Sequence, residues 1–392
     1  MKIFFSAGEP SGDLHSASLM HAMRERCERV QFCGFGGPHM AAAGCDPMLF
    51  PLANYPVIGI VPVIAQIGRF LHLASRADRF FRHHRPDAVV LVDYPGFNWW
   101  IARRARFHGI PVFYFLPPQV WAWATWRVSK MRRFVDHVLC SLPFEVDWYA
   151  ERGVRATFTG HPYFDELREH QLDAAFLAEF TSTQESPVIG ILPGSRTSEV
   201  KRIFPMYLRA AERIARVFPH ARFPVACLRP DHLRFVEGCS RSTRLDLKPF
   251  VGRTSEIIHA SRVCLAKSGS VSLELLYHTK PSTILYQISR SDFAMYRFLR
   301  YGLGWMAARY ITLVNIMANR EIMPEFISCT DVSEPIGRHV QNWLEDPSAH
   351  ARTVSDLAAL KARVAAPGAT QRTAEYILRE LGVAATPNCA AA

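Results

Sequence analysis

The stretch that most constrains this chain is Lys2–Met23, KIFFSAGEPSGDLHSASLMHAM. It opens on Ile3-Phe4-Phe5, an apolar run without polar alternation, as expected of a strand buried on both faces of a parallel sheet. The run breaks into Ala7-Gly8-Glu9-Pro10-Ser11-Gly12-Asp13. From Leu14 the chain reads as a helix, with Leu14, Ala17, Ala22 and Met23 available to its buried side. A strand, a glycine-containing turn and a helix start make an anion or ligand site at the carboxyl edge of such a sheet. Glu9, Ser11, Asp13 and His15 bring four side-chain chemistries to that crevice. The same stretch also suits a well-capped first unit with no ligand. Its spacing is not GxGxxG, so the dinucleotide fingerprint is absent.

The pattern recurs along the chain. Gln31–Gly34 reads as a second strand, and Asp87–Asp93 (DAVVLVD) as a central one ending in a carboxylate. Pro111–Leu116 and Phe134–Cys140 follow, and Thr157–Pro162 closes the series. Residues 165–187 read as an interdomain passage, after which the pattern restarts. Val188–Leu192, Phe223–Leu228, Val263–Ala266 and Ser282–Tyr286 are its strands, and Thr370–Leu381 is a final helix. The expected class is α/β, with two Rossmann-like domains facing a cleft. Their bounds are 1–165 and 187–365, with 366–392 a C-terminal helix and tail.

In the second series Pro193-Gly194-Ser195-Arg196 lies between a strand and a helix. Gly194 permits close backbone approach, the helix start offers N–H groups and Arg196 adds a permanent cation, a set suited to a diphosphate. Ser268-Gly269-Ser270 repeats the arrangement beside Lys267, and Glu274 could take two sugar hydroxyls. Either loop alone is common in α/β proteins; two in one half point to a nucleotide-diphosphate site. Asp93 reads either as a loop-bonding carboxylate or as a general base, with Glu9 its rival and His15 behind both. No Asp-x-Asp occurs, so a leaving diphosphate is expected to be neutralised by Arg196, helix ends and Lys267, with no metal or other cofactor.

Composition narrows the classes. With 392 residues, 49% hydrophobic and 21% charged, the chain is globular and long enough for two domains. A net charge of +11 calls for acidic partners: nucleic acid, anionic lipid or phosphorylated small molecules. Nine cysteines without a CxxC pair indicate reduced thiols and no structural zinc. The apolar run Val57–Ala74 is interrupted by Pro62, Gln66 and Arg69 and is too short to cross a bilayer. It could lie on one, with Ile64, Ile67, Phe70 and Leu71 dipping into acyl chains and Arg69 among the arginines meeting headgroups. The alternative is a half-buried helix pair with a solvated basic face.

Gly8–Asp13, Gly36-Gly37-Pro38-x-Met40, Asp93–Asn98, Pro118–Trp123, Gly160-His161-Pro162, Leu192–Arg196 and Asn315…Arg320-Glu321 together resemble the lipid-A-disaccharide synthase family. They occur in the family's order over nearly the whole chain. The resemblance implies a GT-B fold and an inverting glycosyltransferase; the final helix is expected to pack back on the first domain. Donor and acceptor would be UDP-2,3-diacylglucosamine and 2,3-diacylglucosamine 1-phosphate (lipid X). The products would be UDP and the β-1′,6-linked disaccharide 1-phosphate. It places Asn315, Arg320 and Glu321 with Gly194, Ser195 and Ser268–Ser270 on the donor side, and Ser11, Gly12, Asp13, His15 and Asn98 on the acceptor side. A cytoplasmic protein, peripheral on the anionic inner leaflet of the inner membrane, is expected, with a homodimer allowed. Departures are Val314 for proline, Asn319 for glycine, Pro10 for alanine and Ser270 for threonine.

Two other classes compete. A UDP-sugar epimerase or hydrolase on the same scaffold would use a soluble sugar and need no apolar–basic stretch. A non-enzymatic membrane or nucleic-acid binder fits the charge. However, Trp99, Trp100, Trp121, Trp123 and Trp126 are not interleaved along one basic strip, so nucleic acid is not the expected partner.

Overall fold

A parallel sheet organises each half of the chain. The computed structural model describes residues 1–54, 67–122, 125–241, 243–302 and 308–383. It divides into one unit formed by Met1–Asp165 with the chain from Pro367 onward, and a second formed by Glu166–Ala366.

The first unit holds β1 (Lys2–Ala7), β2 (Gln31–Phe35), β3 (Cys45–Phe50), β4 (Ala88–Val92), β5 (Val112–Phe115), β6 (His137–Cys140) and β7 (Ala156–Phe158), in the order 3-2-1-4-5-6-7. β1 pairs in parallel with both β2 and β4. Its residues alternate between two cores: Phe4 packs with Phe81 and Tyr114 on one face, and Ile3 and Phe5 with Leu19 and Met23 on the other. That is why the opening run contains no polar residue. Leu14, expected inside, is exposed instead. The helix Ala369–Glu380 belongs to this unit, as expected, and adds Ala374, Ile377 and Leu378 to the second core. Asp165 holds it at its start, accepting from the Gly368 and Thr370 N–H groups at 2.7 and 3.0 Å.

The second unit holds β8 (Ile189–Leu192), β9 (Arg222–Cys227), β10 (Asp246–Val251), β11 (Val263–Lys267), β12 (Ser282–Gln287) and β13 (Glu325–Ser328), in the order 10-9-8-11-12-13. In both sheets the order reverses beside the first strand, between β1 and β4 and between β8 and β11. Ligands of open α/β sheets bind outside the strand ends at such a reversal. The passage at 165–187 is itself partly helical, at Tyr163–Glu169 and Ala174–Glu179. Among the described residues no helix is long and apolar enough to cross a membrane.

Candidate active site

In the first unit the loops after β1 and β4 meet at the reversal. β4 ends at Val92, and the next two residues, Asp93 (φ 43°) and Tyr94 (φ 47°), both take left-handed backbone. Neither is glycine, so this elbow is strained and must be held. Asn98 holds it from the following helix: its Nδ2 donates to the Asp93 carbonyl at 2.7 Å, and its Oδ1 accepts from Ser6 Oγ at 2.7 Å. Tyr114 Oη donates to the same carbonyl at 2.8 Å. The Tyr94 ring lies over Gly8, where a Cβ would fall 2.2 Å from the ring, so only glycine fits there.

The clamp fixes the backbone that carries the partly buried Asp93 carboxyl at the end of β4. Burial raises its pKa, partly opposed by the Tyr94 N–H and by the charge of His15. A carboxyl shifted in this direction is a stronger proton acceptor once ionised. Glu9, half-buried, precedes the helix Pro10–Arg26, and Pro10 takes the first helical position, where proline's fixed φ is already suitable. Ser11 is exposed and Gly12 buried at the same turn. His15 is buried with its ring edge-to-face with His161, centroids 6.1 Å apart. Burial, with His15 adding to it, depresses His161 to about 3, so its imidazole is neutral at neutral pH.

Two expected acceptor residues are structural instead. Asp13 is buried and accepts from the Gly37, His39 and Met40 N–H groups at 2.7, 2.9 and 3.0 Å, capping the helix Pro38–Ala42. Asn98 is fully buried in the clamp just described. The proposed lipid-facing residues also separate. On the helix Ile67–His84, Ile67 and Leu71 are exposed, as is Arg69. Phe70 points inward, its ring 5.6 Å from that of Phe97, because one helix cannot turn adjacent residues to the same side. Ile64 and Trp123 lie outside the described residues.

In the second unit Gly194, Ser195, Lys267, Gly269 and Ser270 line one cavity of about 150 Å³, with Leu228 and Val271 as part of its apolar wall. Gly194 has φ 122°, and a Cβ there would stand 2.8 Å from Glu199 Oε2. Glu199, not singled out from the sequence, organises the cations: Lys267 Nζ lies 2.9 Å and Arg196 Nη1 3.4 Å from its Oε1. Burial alone would push this carboxyl up. Lys267 and the Arg196 N–H and guanidinium more than offset it and hold Glu199 below the ordinary range. Ser268 is buried beneath the loop.

Several donor-side expectations fall elsewhere. Glu274 is buried on the helix Val271–Tyr277 and accepts from Ser255 Oγ at 2.5 Å, off the cavity wall. Asn315 is fully buried: its Oδ1 accepts from the Ile322 and Met323 N–H groups, and its Nδ2 donates to Glu325 Oε1 at 2.8 Å. It therefore staples the 319–323 turn. Arg320 is paired with Asp356 at 2.7 Å, and Glu321 lines a different cavity, with Tyr296 and Arg300. The departures at this turn are accommodated. Asn319 ends the helix Leu313–Ala318 at φ 52°, the conformation that favours glycine and next asparagine, and Val314 sits in its first turn, where proline is equally allowed.

A protein-family model described as lipid-A-disaccharide synthetase matches residues 3–371. Lipid-A-disaccharide synthase of Anaeromyxobacter sp. (strain K) is 34% identical over 379 residues, 96% of this chain and 97% of that protein. The enzyme of Geobacter sulfurreducens is 32% identical, covering 97% of each. Among solved structures, UDP-GlcNAc 2-epimerase from Neisseria meningitidis bound to UDP-GlcNAc aligns with TM-score 0.62 at 14% identity, over 97% of this chain and 100% of that one. A UGT transferase from Siraitia grosvenorii in complex with UDP aligns with TM-score 0.56 at 12% identity, over 97% and 99%. These likenesses put the fold among GT-B transferases and epimerases.

Proposed function

Since the chain belongs to the lipid-A-disaccharide synthase family and is a glycosyltransferase, we propose that it transfers 2,3-diacylglucosamine from UDP-2,3-diacylglucosamine to lipid X. Asp93 takes the proton of the acceptor 6-hydroxyl as its oxygen attacks the anomeric carbon. The bond from that carbon to the UDP oxygen breaks on the opposite face, which gives the β-1′,6 linkage with UDP as leaving group. Backbone N–H groups around Gly194, Ser195 and Gly269, with Lys267, take up the negative charge that develops on the diphosphate. Arg196 is exposed beside this loop and can swing from Glu199 to the phosphates. In this reading the chain's own cations do the work for which other transferases recruit a metal ion. Ile67, Leu71 and Arg69 rest on the anionic inner leaflet, where both acylated substrates reside.

The observation that carries this reading is the clamped Asp93–Tyr94 elbow at the sheet reversal. It presents one shifted carboxyl on a backbone too strained to persist without support. The experiment is product analysis with both acylated substrates: UDP and a disaccharide 1-phosphate are expected. Epimerised or hydrolysed donor, with no disaccharide, would overturn it.

A further inference from the structure

On the second unit, apart from the Gly194–Ser270 cavity and sharing no lining residue with it, lies another cavity of about 390 Å³. Its wall carries Arg168, His170, His259, His278, Lys280 and Lys361, and among the described residues none of those lining it is acidic. The volume falls within the range typical of small-molecule sites. The basic groups crowd one another: His259 Nδ1 lies 3.4 Å from His278 Nδ1, and Lys280 Nζ donates to the His259 carbonyl at 2.7 Å. Lys361 Nζ stands 4.2 Å from the centre of the Tyr277 ring. Nearby carboxylates are engaged. Glu256 lies 3.9 Å from His170 but also receives Arg253 at 3.3 Å, and Glu274 receives Ser255.

Burial, then His259 and the nearby lysines, push His278 down to about 4, and burial lowers Lys280 and Lys361 as well. Holding the two half-buried ammonium groups of Lys280 and Lys361 beside these imidazoles, with no acidic side chain among the lining residues, costs free energy that an anion would recover. A monovalent ion would leave most of this charge and volume unused.

We propose that this cavity is a second ligand site, which takes a small soluble molecule bearing two or more phosphate groups. Charge-assisted hydrogen bonds from Lys280, Lys361 and the imidazoles hold the phosphate oxygens. The site is linked to the first cavity through the helix Val271–Tyr277. Val271 lines the first cavity and Tyr277 the second, and Ser255, on the second wall, is bonded to Glu274 midway along.

The test is calorimetry with inorganic pyrophosphate on the full chain held saturated with UDP, which occupies the first cavity. One further equivalent is expected to bind. Lys361→Gln and His278→Gln should each weaken it roughly 10-fold or more, the loss expected for one charge-assisted contact. UDP affinity should stay within about twofold, which also reports that the variants are folded. Lys267→Met is the converse control and should weaken UDP alone. Absence of a saturable second equivalent, or binding indifferent to both variants, overturns the proposal. If His278→Gln does not fold, Lys361→Gln, on a partly exposed side chain, decides by itself. Pyrophosphate binding that Lys267→Met abolishes as well would assign the anion to the first cavity and also overturns it.

Discussion

Asp93 and Tyr94 sit in a left-handed conformation that costs on the order of 1–3 kcal/mol per non-glycine residue. Asn98 and Tyr114 offset that cost by holding the Asp93 carbonyl. The elbow's purpose is then read in the side chain it aims, and Asp93→Asn should lower kcat about 10²–10⁴-fold while UDP still binds. Normal turnover in that variant together with its loss in Glu9→Gln would move the base to Glu9. The raised pKa sets the sign of the pH dependence. Activity needs the ionised carboxylate, so kcat/KM should fall as pH drops through a value above the ordinary carboxyl range. Glu145 gives a separate test through stability. It is buried, accepts from Trp121 Nε1 at 2.8 Å and from the Leu142 N–H at 3.0 Å, and burial lifts its pKa to about 7 from an ordinary 4.5. A folded-state value raised this way favours the folded protein fully below about pH 4.5. That advantage is lost as pH rises toward 7, so the decline in melting temperature over this window should flatten in Glu145→Gln.

At the scale of elements, the helix Ile67–His84 divides into two testable sides. Ile67→Ser with Leu71→Ser should release the protein from anionic vesicles without unfolding it; unchanged cosedimentation would count against membrane docking. Phe70→Ala, by contrast, removes a core ring and should cost about 3–5 kcal/mol in a chemical unfolding curve. The sequence could not separate these sides, because period and apolarity alone do not say which neighbours a helix meets. It did disclose the central strands: β1, β4, β8 and β11 are buried on both faces and read as unbroken apolar runs. The strands β3, β10 and β13 went unseen. They lie at sheet edges, are partly exposed, and two carry proline (Pro47 and Pro249), so their composition mimics loops. The site shows the same limit. Asp93 was legible as a carboxylate ending an apolar strand, and the Gly194 and Gly269 loops as turns between strand and helix. Asp13, Asn98 and Asn315 were read as ligand contacts because a motif does not reveal whether a polar side chain faces a crevice or turns to hold backbone. Tyr114 escaped because its partner lies 21 positions away. Glu199 could have been found, three residues past Arg196 at the start of the helix, where an acidic residue is expected to serve the helix end.

Across the whole molecule, the chain leaves its first unit at Asp165 and returns to it at Pro367. The returning helix brings Tyr376, Ile377 and Leu378 to a core otherwise made by residues from the beginning of the sequence. Each such buried side chain contributes about 1.5–3 kcal/mol. A chain ended at Ala366 should therefore melt markedly lower in its first unit, whereas residues 166–366 expressed alone should fold and retain UDP binding. An unaltered melting profile after truncation would show the returning helix to be dispensable.

The single carboxylate of Asp165, bonded to both Gly368 and Thr370, joins the point of exit to the point of return. This arrangement bears on the protein's birth on the ribosome. The sheet made first keeps one flank of its core uncovered until residues 369–380 have been made. The unit in the middle is contiguous and can close before the one that precedes it. The middle unit can thus be complete before the first, against the usual amino-to-carboxyl order, and the nascent first half keeps apolar core surface exposed for longer.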